Sequence, residues 1–523
     1  LAQAAHGAAA ALGGSHGLVS WEGTRAMRVE QLASLLLTAV LIGDGETAIA
    51  GIETDSRRVM PGDLFICLRG HRVDGHDYAA QAVTDGAAAI VAERPLALPR
   101  EVPQIIVKDG RHAMAVLADY YYGQPSRRLK LIGVTGTNGK TTTTYLIERI
   151  LKDAGHSPGV IGTVEMRYRD RALPMSGTTP EALELQRSLR AMADAGADYC
   201  VMEVSSHALE QGRVKGCRYR TAIFTNLTQD HLDYHATMER YAAAKALLFS
   251  RMGNEFAVLP EDRLFAVLNA DDPASPGYAD ATAAEVVTYG IERDADVRAS
   301  GVRITAHGTA FHVETFAGAA DITLKMAGKY NVYNALGAIS ASLIEGIPLR
   351  RIKASLEALP GVPGRVEAVN AGQSFAVIVD YAHTPDGLEN VLKAIKEFAV
   401  GRVICVFGCG GDRDRTKRPL MGAISGHYAD YSFVTSDNPR TEDPLRILAD
   451  VEAGLLRDGV PRDRYELLAD RRAAIQKAVE MASRDDVVLI AGKGHETYQD
   501  IQGVKTDFDD REVAKEAIRS LSL

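Results

Sequence analysis

Short apolar runs that stop abruptly at glycine, hydroxyl or charged residues recur through most of this chain. Leu129-Lys-Leu-Ile-Gly-Val-Thr135 runs into Gly136-Thr-Asn-Gly-Lys-Thr-Thr142, and Tyr145 to Leu151 behind it has the spacing of an amphipathic helix. Tyr199-Cys-Val-Met-Glu-Val ends in Ser205, Ser206 and His207, and Ala222 to Leu227 delivers Asp230, His231, Asp233 and His235. Later runs at Phe375–Asp380, Arg402–Phe407, Tyr431–Thr435 and Asp486–Ala491 end in polar clusters in the same way. Near-continuous apolar runs of this length predict strands buried on both faces, as in parallel sheets with helices between them. Nearer the start, Asp63–Leu68 and Ala87–Ala92 predict strands around a helix over Tyr78–Asp85, and Leu32–Gly43 reads as an amphipathic core helix.

The pattern predicts an α/β protein of three domains. Residues 27–125 form a small α/β unit, 126–360 a central P-loop-type ATPase domain with a mostly parallel sheet, and 361–523 a Rossmann-like doubly wound domain. Residues 1–26, rich in Ala, Gly and His, are expected to lie outside the fold, with Met27 a natural start. The Leu32–Gly43 stretch is too short to span a bilayer, and Glu30 precedes it where a signal peptide carries positive charge. A cytoplasmic protein without membrane insertion is therefore expected. A net charge of −9 argues against a nucleic-acid binder. Cysteines 67, 200, 217, 405 and 409 form no C-x-x-C pair, which disfavours a zinc site or a disulfide framework.

Strand, glycine loop, Lys-Thr and helix together make a phosphate cradle. Backbone N–H groups close on phosphate oxygens, Lys140 reaches the terminal phosphates, and Thr141 can ligate Mg2+. The usual G-x-x-x-x-G-K-[ST] spacing requires glycine at position 134, where this chain has Val134. Strand ends are where open α/β sheets bind ligands, so Glu203 is a second Mg2+ ligand candidate. Taken alone, Lys245 in an apolar helix reads as a snorkelling surface lysine. Ser56, Arg57, His71 and Asp74 read as turn and cap residues.

Thr135-Gly-Thr-Asn-Gly-Lys-Thr141, Met202-Glu-Val-Ser-Ser-His207, Asn226-Leu-Thr-Gln-Asp-His-Leu-Asp-Tyr-His235, Asp380-Tyr-Ala-His-Thr-Pro385 and Asp437-Asn-Pro-Arg440 together resemble the Mur ligases. These are the ATP-dependent amide-forming enzymes of peptidoglycan synthesis, and the likeness runs from about residue 28 to the C-terminus. The phosphate loop alone marks a wider group that includes folylpolyglutamate synthases. Motif order and spacing look most like the members that add the third peptide residue.

The resemblance implies roles residue by residue. Thr54, Ser56, His71, Arg72 and Val73 would hold the uridine nucleotide of the substrate, and Thr178, Thr179, Ser206, Gln211 and Arg213 its peptidyl part. Gly136, Thr137, Asn138, Gly139, Lys140, Thr141 and Thr142 would bind ATP, with Asn331, Asn334 and Arg365 on its adenine and ribose side. Thr141, Glu203, His231 and Lys245 would serve two Mg2+ ions, Lys245 as a carbamate formed with CO2. Lys140 and Lys245, with His207, Asp380 and His383 as proton-handling or positioning groups, would form the catalytic set. The chain departs from the pattern at Gly177, where diaminopimelate-adding members often carry asparagine.

Arg413, Asp437, Asn438, Pro439, Arg440, Gly492 and Glu496 would bind the incoming amino acid. Arginines suit the distal carboxylate of meso-diaminopimelate, which L-lysine lacks, while Asp437, Glu496 and the Gly492 carbonyl suit its ammonium. The implied reaction joins meso-diaminopimelate to the D-glutamyl γ-carboxylate of UDP-N-acetylmuramoyl-L-alanyl-D-glutamate through an acyl phosphate. Peptidoglycan synthesis, cell shape and cell division are the processes served, by a monomer whose second and third domains close on each other. A lysine-adding ligase and a catalytically silent relative are the alternatives.

Overall fold

The structure, a computed structural model, describes residues 27–70, 73–175, 177–305 and 308–521. The expected leading extension 1–26 and the expected nucleotide contacts His71 and Arg72 lie outside the described residues. The chain divides into two compact units, Leu1–Tyr121 and Tyr122–Leu523.

In the first unit a five-stranded sheet runs in the order Val40–Ile42, Gln104–Ile106, Ala89–Ala92, Asp63–Ile66, Gly51–Glu53. All neighbours are parallel except the Val40–Ile42 edge. Asp63–Ile66 and Ala89–Ala92 are buried at every position. The helix expected over Leu32–Gly43 is a correction. It occupies Val29–Ser34, and Val40–Ile42 instead pairs with Gln104–Ile106. Val29 and Leu32 fill the core while Leu37 is 99% exposed, so apolar content misled: a β-branched segment beside an open strand gains more from pairing than from helix.

The second unit holds two large sheets. The first has eleven strands, and seven of these, Pro158–Ile161 through Val297–Thr305, are joined in parallel around Lys130–Thr135. Antiparallel strands extend both edges. Alternation along Lys130–Thr135 sends Ile132 and Val134 into a core with helices Lys140–Asp153 and Lys329–Ile344. Leu131 goes the other way, into a core with helix Ala182–Asp194. Both faces are covered, which explains the unbroken apolar runs. Lys130–Thr135 lies between Tyr199–Glu203 and Tyr219–Phe224, so their carboxyl ends stand side by side.

The second sheet runs Glu367–Ala368, Ala376–Asp380, Val487–Ala491, Val403–Cys409, Tyr431–Ser436, Tyr465–Leu467. Only the first pair is antiparallel. Helices Pro385–Phe398 and Pro444–Arg457 pack on one face, and Arg471–Met481 and Asp510–Ser520 on the other. This is the doubly wound domain expected.

Fully buried Arg471 ties that domain's rim together. It pairs with Asp510 at 2.6 and 2.8 Å and donates to the carbonyls of Ser436 and Ala491, the last residues of two strands. Asp510→Ala strands a buried guanidinium, and is expected to cost about 3–5 kcal/mol, read as a lower urea midpoint. An unchanged midpoint contradicts this. The five cysteines are free, and among the described residues no helix is long and apolar enough to cross a membrane.

Candidate active site

The glycine loop leaves Lys130–Thr135 at Gly136, not at Val134, which is a full member of the strand and pairs with Ile223 and Glu203. The strand therefore runs two residues deeper than the usual spacing implies. At Gly136 φ is +151°, and a Cβ there would lie 1.8 Å from Thr225 Oγ1; at Gly139 φ is +87°, and a Cβ would lie 2.2 Å from Asn334 Oδ1. Only glycine serves at either position. Thr137 N donates to Asn226 O (2.8 Å) and Asn138 N to Asn226 Oδ1 (2.9 Å), so the neighbouring strand end braces the loop. Lys140 Nζ donates to the carbonyls of Gly136 and Thr137, both at 2.8 Å.

Thr141, at the start of helix Lys140–Asp153, donates its hydroxyl to Glu203 Oε1 at 3.0 Å. Glu203, 1% exposed, also accepts from Thr163 N (2.9 Å) and Thr163 Oγ1 (3.0 Å). A Cβ at Gly162 would lie 2.5 Å from its Oε1. Gly162 and Thr163 were missed in the sequence; their only signal was that they follow a buried strand. Lys245, 1% exposed, overturns the surface reading. Its Nζ donates to the same Gly136 carbonyl as Lys140 (2.8 Å) and lies 4.4 Å from the Tyr241 ring centroid. Burial pulls its pKa well below the ordinary lysine range, and Lys140 adds repulsion.

His231 stands beside these groups with φ +56° and Nε2 3.4 Å from Asp230 Oδ2. Its ring lies 4.9 Å from that of His207, which also packs on Tyr234 and His235. Burial lowers His231 to about 3 and His207 to about 4, so both are neutral near pH 7. The donor set fits a hard divalent cation. Mg2+ takes one or two carboxylates plus phosphate oxygens rather than a protein cage, and the described residues hold no group of three or more His, Cys, Asp or Glu arranged for a metal.

The substrate-side hydroxyls surround Glu203. Thr178 Oγ1 lies 3.1 Å from Thr163 Oγ1, and Thr179 Oγ1 donates to Glu203 O at 2.9 Å. Arg213 Nη1 donates to Thr179 O (2.9 Å) and its Nε to Gln211 Oε1 (3.0 Å). Buried Ser206 shares a 2.9 Å hydrogen bond with His235 Nε2. Gly177 has open space where a Cβ would project, so packing does not require glycine there.

A cleft beside the loop is lined by Asn138, Thr142, Asn334, Tyr330, Arg365 and Asp386, among others. Arg365 Nη2 donates to Thr141 Oγ1 at 3.1 Å, and Asn138 Nδ2 contacts Asp386 Oδ2 at 2.6 Å. These two bonds join the sheet that carries the phosphate loop to the last domain. Asn331 does not reach the cleft: it donates to Ala327 O (2.8 Å) and accepts from Asn334 Nδ2 (3.2 Å), holding Asn334 from behind. Asp380 accepts from Ala382 N at Oδ1 (2.8 Å) and from Val366 N at Oδ2 (2.7 Å), which makes it a backbone clamp. Half-buried His383 bonds Tyr381 O at 2.8 Å, and desolvation lowers it to about 4.

On the last domain's rim, Arg440 adopts φ +51° and donates Nη1 to Gly411 O at 2.7 Å. Arg413 sits close enough for Arg440 to add to the effect of burial in lowering its pKa. A Cβ at Gly492 would lie 2.7 Å from Asp437 Oδ2, and Asn438 Nδ2 donates to Glu496 Oε2 at 2.8 Å. Pro439 places its carbonyl against Gly411, 1.9 Å from where a Cβ would be. Arg413 and Arg440 thus lie against Gly410, while Asp437 lies against Gly492 and Glu496 is bonded to Asn438. In the first unit, Thr54 N donates to Glu53 Oε1 (2.9 Å), Ser56 opens a single 3-10 turn capped by Asp55, and Val73 is exposed. Asp74 is a cap, as the plain reading expected.

Three family models match the chain. The Mur ligase middle domain matches residues 134–342, the Mur ligase glutamate ligase domain 364–494, and the Mur ligase family catalytic domain 48–122. The UDP-N-acetylmuramoyl-L-alanyl-D-glutamate–2,6-diaminopimelate ligase of Bacillus cereus is 51% identical, covering 94% of this chain and 98% of its own length. The Geobacillus thermodenitrificans enzyme of the same name is 53% identical, covering 94% and 99%. A solved structure of a ligase so named superimposes with TM-score 0.65 at 33% identity, covering 95% of this chain and all of its own.

Proposed function

This chain belongs to the Mur ligase family, and we propose that it joins meso-diaminopimelate to the D-glutamyl γ-carboxylate of UDP-N-acetylmuramoyl-L-alanyl-D-glutamate. It is an ATP-dependent ligase of peptidoglycan synthesis. The observation that carries the choice of amino acid is the Arg413–Arg440 pair. Arg413 and Arg440 both lie against Gly410 and repel each other, so an anion between them is favoured, and the distal carboxylate of meso-diaminopimelate supplies one where lysine offers none.

The γ-phosphoryl of ATP passes to the glutamyl γ-carboxylate, and the diaminopimelate amine attacks the resulting acyl phosphate. A tetrahedral adduct then collapses, and the proton lost from nitrogen leaves with the expelled phosphate. Backbone N–H groups of residues 136–142 cradle the phosphates, and Lys140 neutralises charge on the transferring group. Asn334 and Arg365 face the nucleotide, while Thr178, Thr179, Ser206, Gln211 and Arg213 hold the acceptor peptide. Thr54, Ser56, His71, Arg72 and Val73 are assigned to the uridine nucleotide. Asp380 and His383 hold the segment that carries Arg365 and Tyr381 rather than move protons, and His207 positions His231.

Thr141, Glu203 and His231 would hold Mg2+, which supplies Lewis-acid neutralisation of phosphate charge when bound. A carbamate at Lys245 is supported by its burial and by its place at the phosphate loop, where Nζ meets the Gly136 carbonyl. Burial disfavours its ammonium form, and the amine can take up CO2 and present oxygen where an ammonium would repel a cation. A cytoplasmic monomer serving cell shape and division completes the reading.

ADP release with the nucleotide dipeptide, Mg2+ and bicarbonate tests this. Turnover with meso-diaminopimelate well above that with L-lysine is expected. Equal turnover with lysine removes the selectivity, and none with either amino acid removes the activity.

A further inference from the structure

Lys493 follows Gly492 at the amino-acid rim, and its side chain is 0% exposed. Its Nζ donates to Asn438 Oδ1 and to Glu496 Oε2, both at 3.1 Å, and lies 5.4 Å from the Tyr498 ring centroid. Asn438 closes the ring by donating Nδ2 to Glu496 Oε2 at 2.8 Å, while its Oδ1 also accepts from Asp500 N at 3.0 Å. Glu496 is thus pinned through one oxygen. Its other oxygen, Oε1, meets the Tyr381 hydroxyl at the longer distance of 3.4 Å.

We propose that Lys493 is a specificity-determining positioning residue, fixing Glu496 with Oε1 turned to the substrate's ammonium and offsetting enough of its charge to disfavour a substrate that brings an uncompensated cation. The proposal rests on the assignment of this rim to the amino acid. Buried Lys493 and half-buried Glu496 form an ion pair, so each offsets the other's charge. A distal ammonium accompanied by a carboxylate brings no net charge to the rim, whereas the lone distal ammonium of lysine brings one positive charge. Removing Lys493 takes away the cation paired with Glu496 and frees that carboxylate to attract any ammonium. A buried lysine is costly unless its partners are fixed around it, which explains why Asn438 and Glu496 are bonded to each other as well as to Nζ.

Lys493→Met should raise the KM for meso-diaminopimelate more than it lowers kcat, and should reduce the diaminopimelate-to-lysine ratio of kcat/KM by about tenfold. In a Glu496→Gln background the same change should alter the ratio less than about twofold, because the charge through which Lys493 acts has gone. A lysine that only fills space would depress turnover of both amino acids alike, so an unchanged ratio overturns the proposal. Equal effects of Lys493→Met in both backgrounds overturn it too. Should the methionine variant fail to fold, Lys493→Gln keeps a neutral donor in place and the same fall in ratio is expected; an unaltered ratio is again the contrary result. Wild-type enzyme that does not turn over meso-diaminopimelate refutes the underlying assignment instead, and the two failures are separable.

Discussion

Lys140→Met lowers the rate of ATP-dependent ligation by about 10²–10³-fold, the cost of removing one preorganised charge from a developing oxyanion. Phosphoryl transfer leaves a protein little to do beyond positioning and neutralisation, so this cation carries an unusual share of the effect. Lys140 Nζ is held at 2.8 Å by the carbonyls of Gly136 and Thr137, poised over the loop rather than swinging free. The methionine keeps the stem and loses the charge. Its signature is a fall in kcat with little change in KM for the amino acid, measured by ADP release on variant protein with a native circular dichroism spectrum. A loss confined to the KM of meso-diaminopimelate contradicts the assigned role.

Arg440→Met reduces kcat/KM for meso-diaminopimelate by roughly 30- to 1,000-fold, corresponding to about 2–4 kcal/mol for a charge-assisted contact that the bound substrate desolvates. L-lysine, which offers this arginine no carboxylate, should lose far less, so the preference narrows. Arg440 is held in the left-handed region by bonds from its own backbone: its N donates to Asp500 O at 2.9 Å and its O accepts from Gln502 N at 2.7 Å. Such local strain persists where the surroundings over-determine it, and here it aims a guanidinium beside Arg413. Equal losses with both amino acids would show that the arginine supports the rim without reading the substrate.

Much of the architecture was legible because buried parallel strands are unmistakable as apolar runs. Tyr199–Glu203 and Val487–Ala491 are buried at every position, and the polar residues after them fall at the sheet edge as pattern alone implied. The opening helix was not legible. Leu35, Leu36 and Leu37 suggested a core, but sheet pairing by Val40–Ile42 decided that segment. At the site, the residue types were readable and their partners were not. Asn331 and Asn334 share a helix face, yet one reaches the cleft and the other supports it. Lys245 looked like a surface lysine because its burial arises from segments more than a hundred residues away, among them Gly136. Asp386, bonded to Asn138 across 248 positions, left no local trace at all.

The most direct measurement follows the oxygen atoms. Substrate carrying 18O in the D-glutamyl γ-carboxylate is turned over with ATP and meso-diaminopimelate, and the released phosphate is weighed. Activation through an acyl phosphate transfers one labelled oxygen to each phosphate as the tripeptide nucleotide forms. Unlabelled phosphate, or phosphate released with no amide product, contradicts the account.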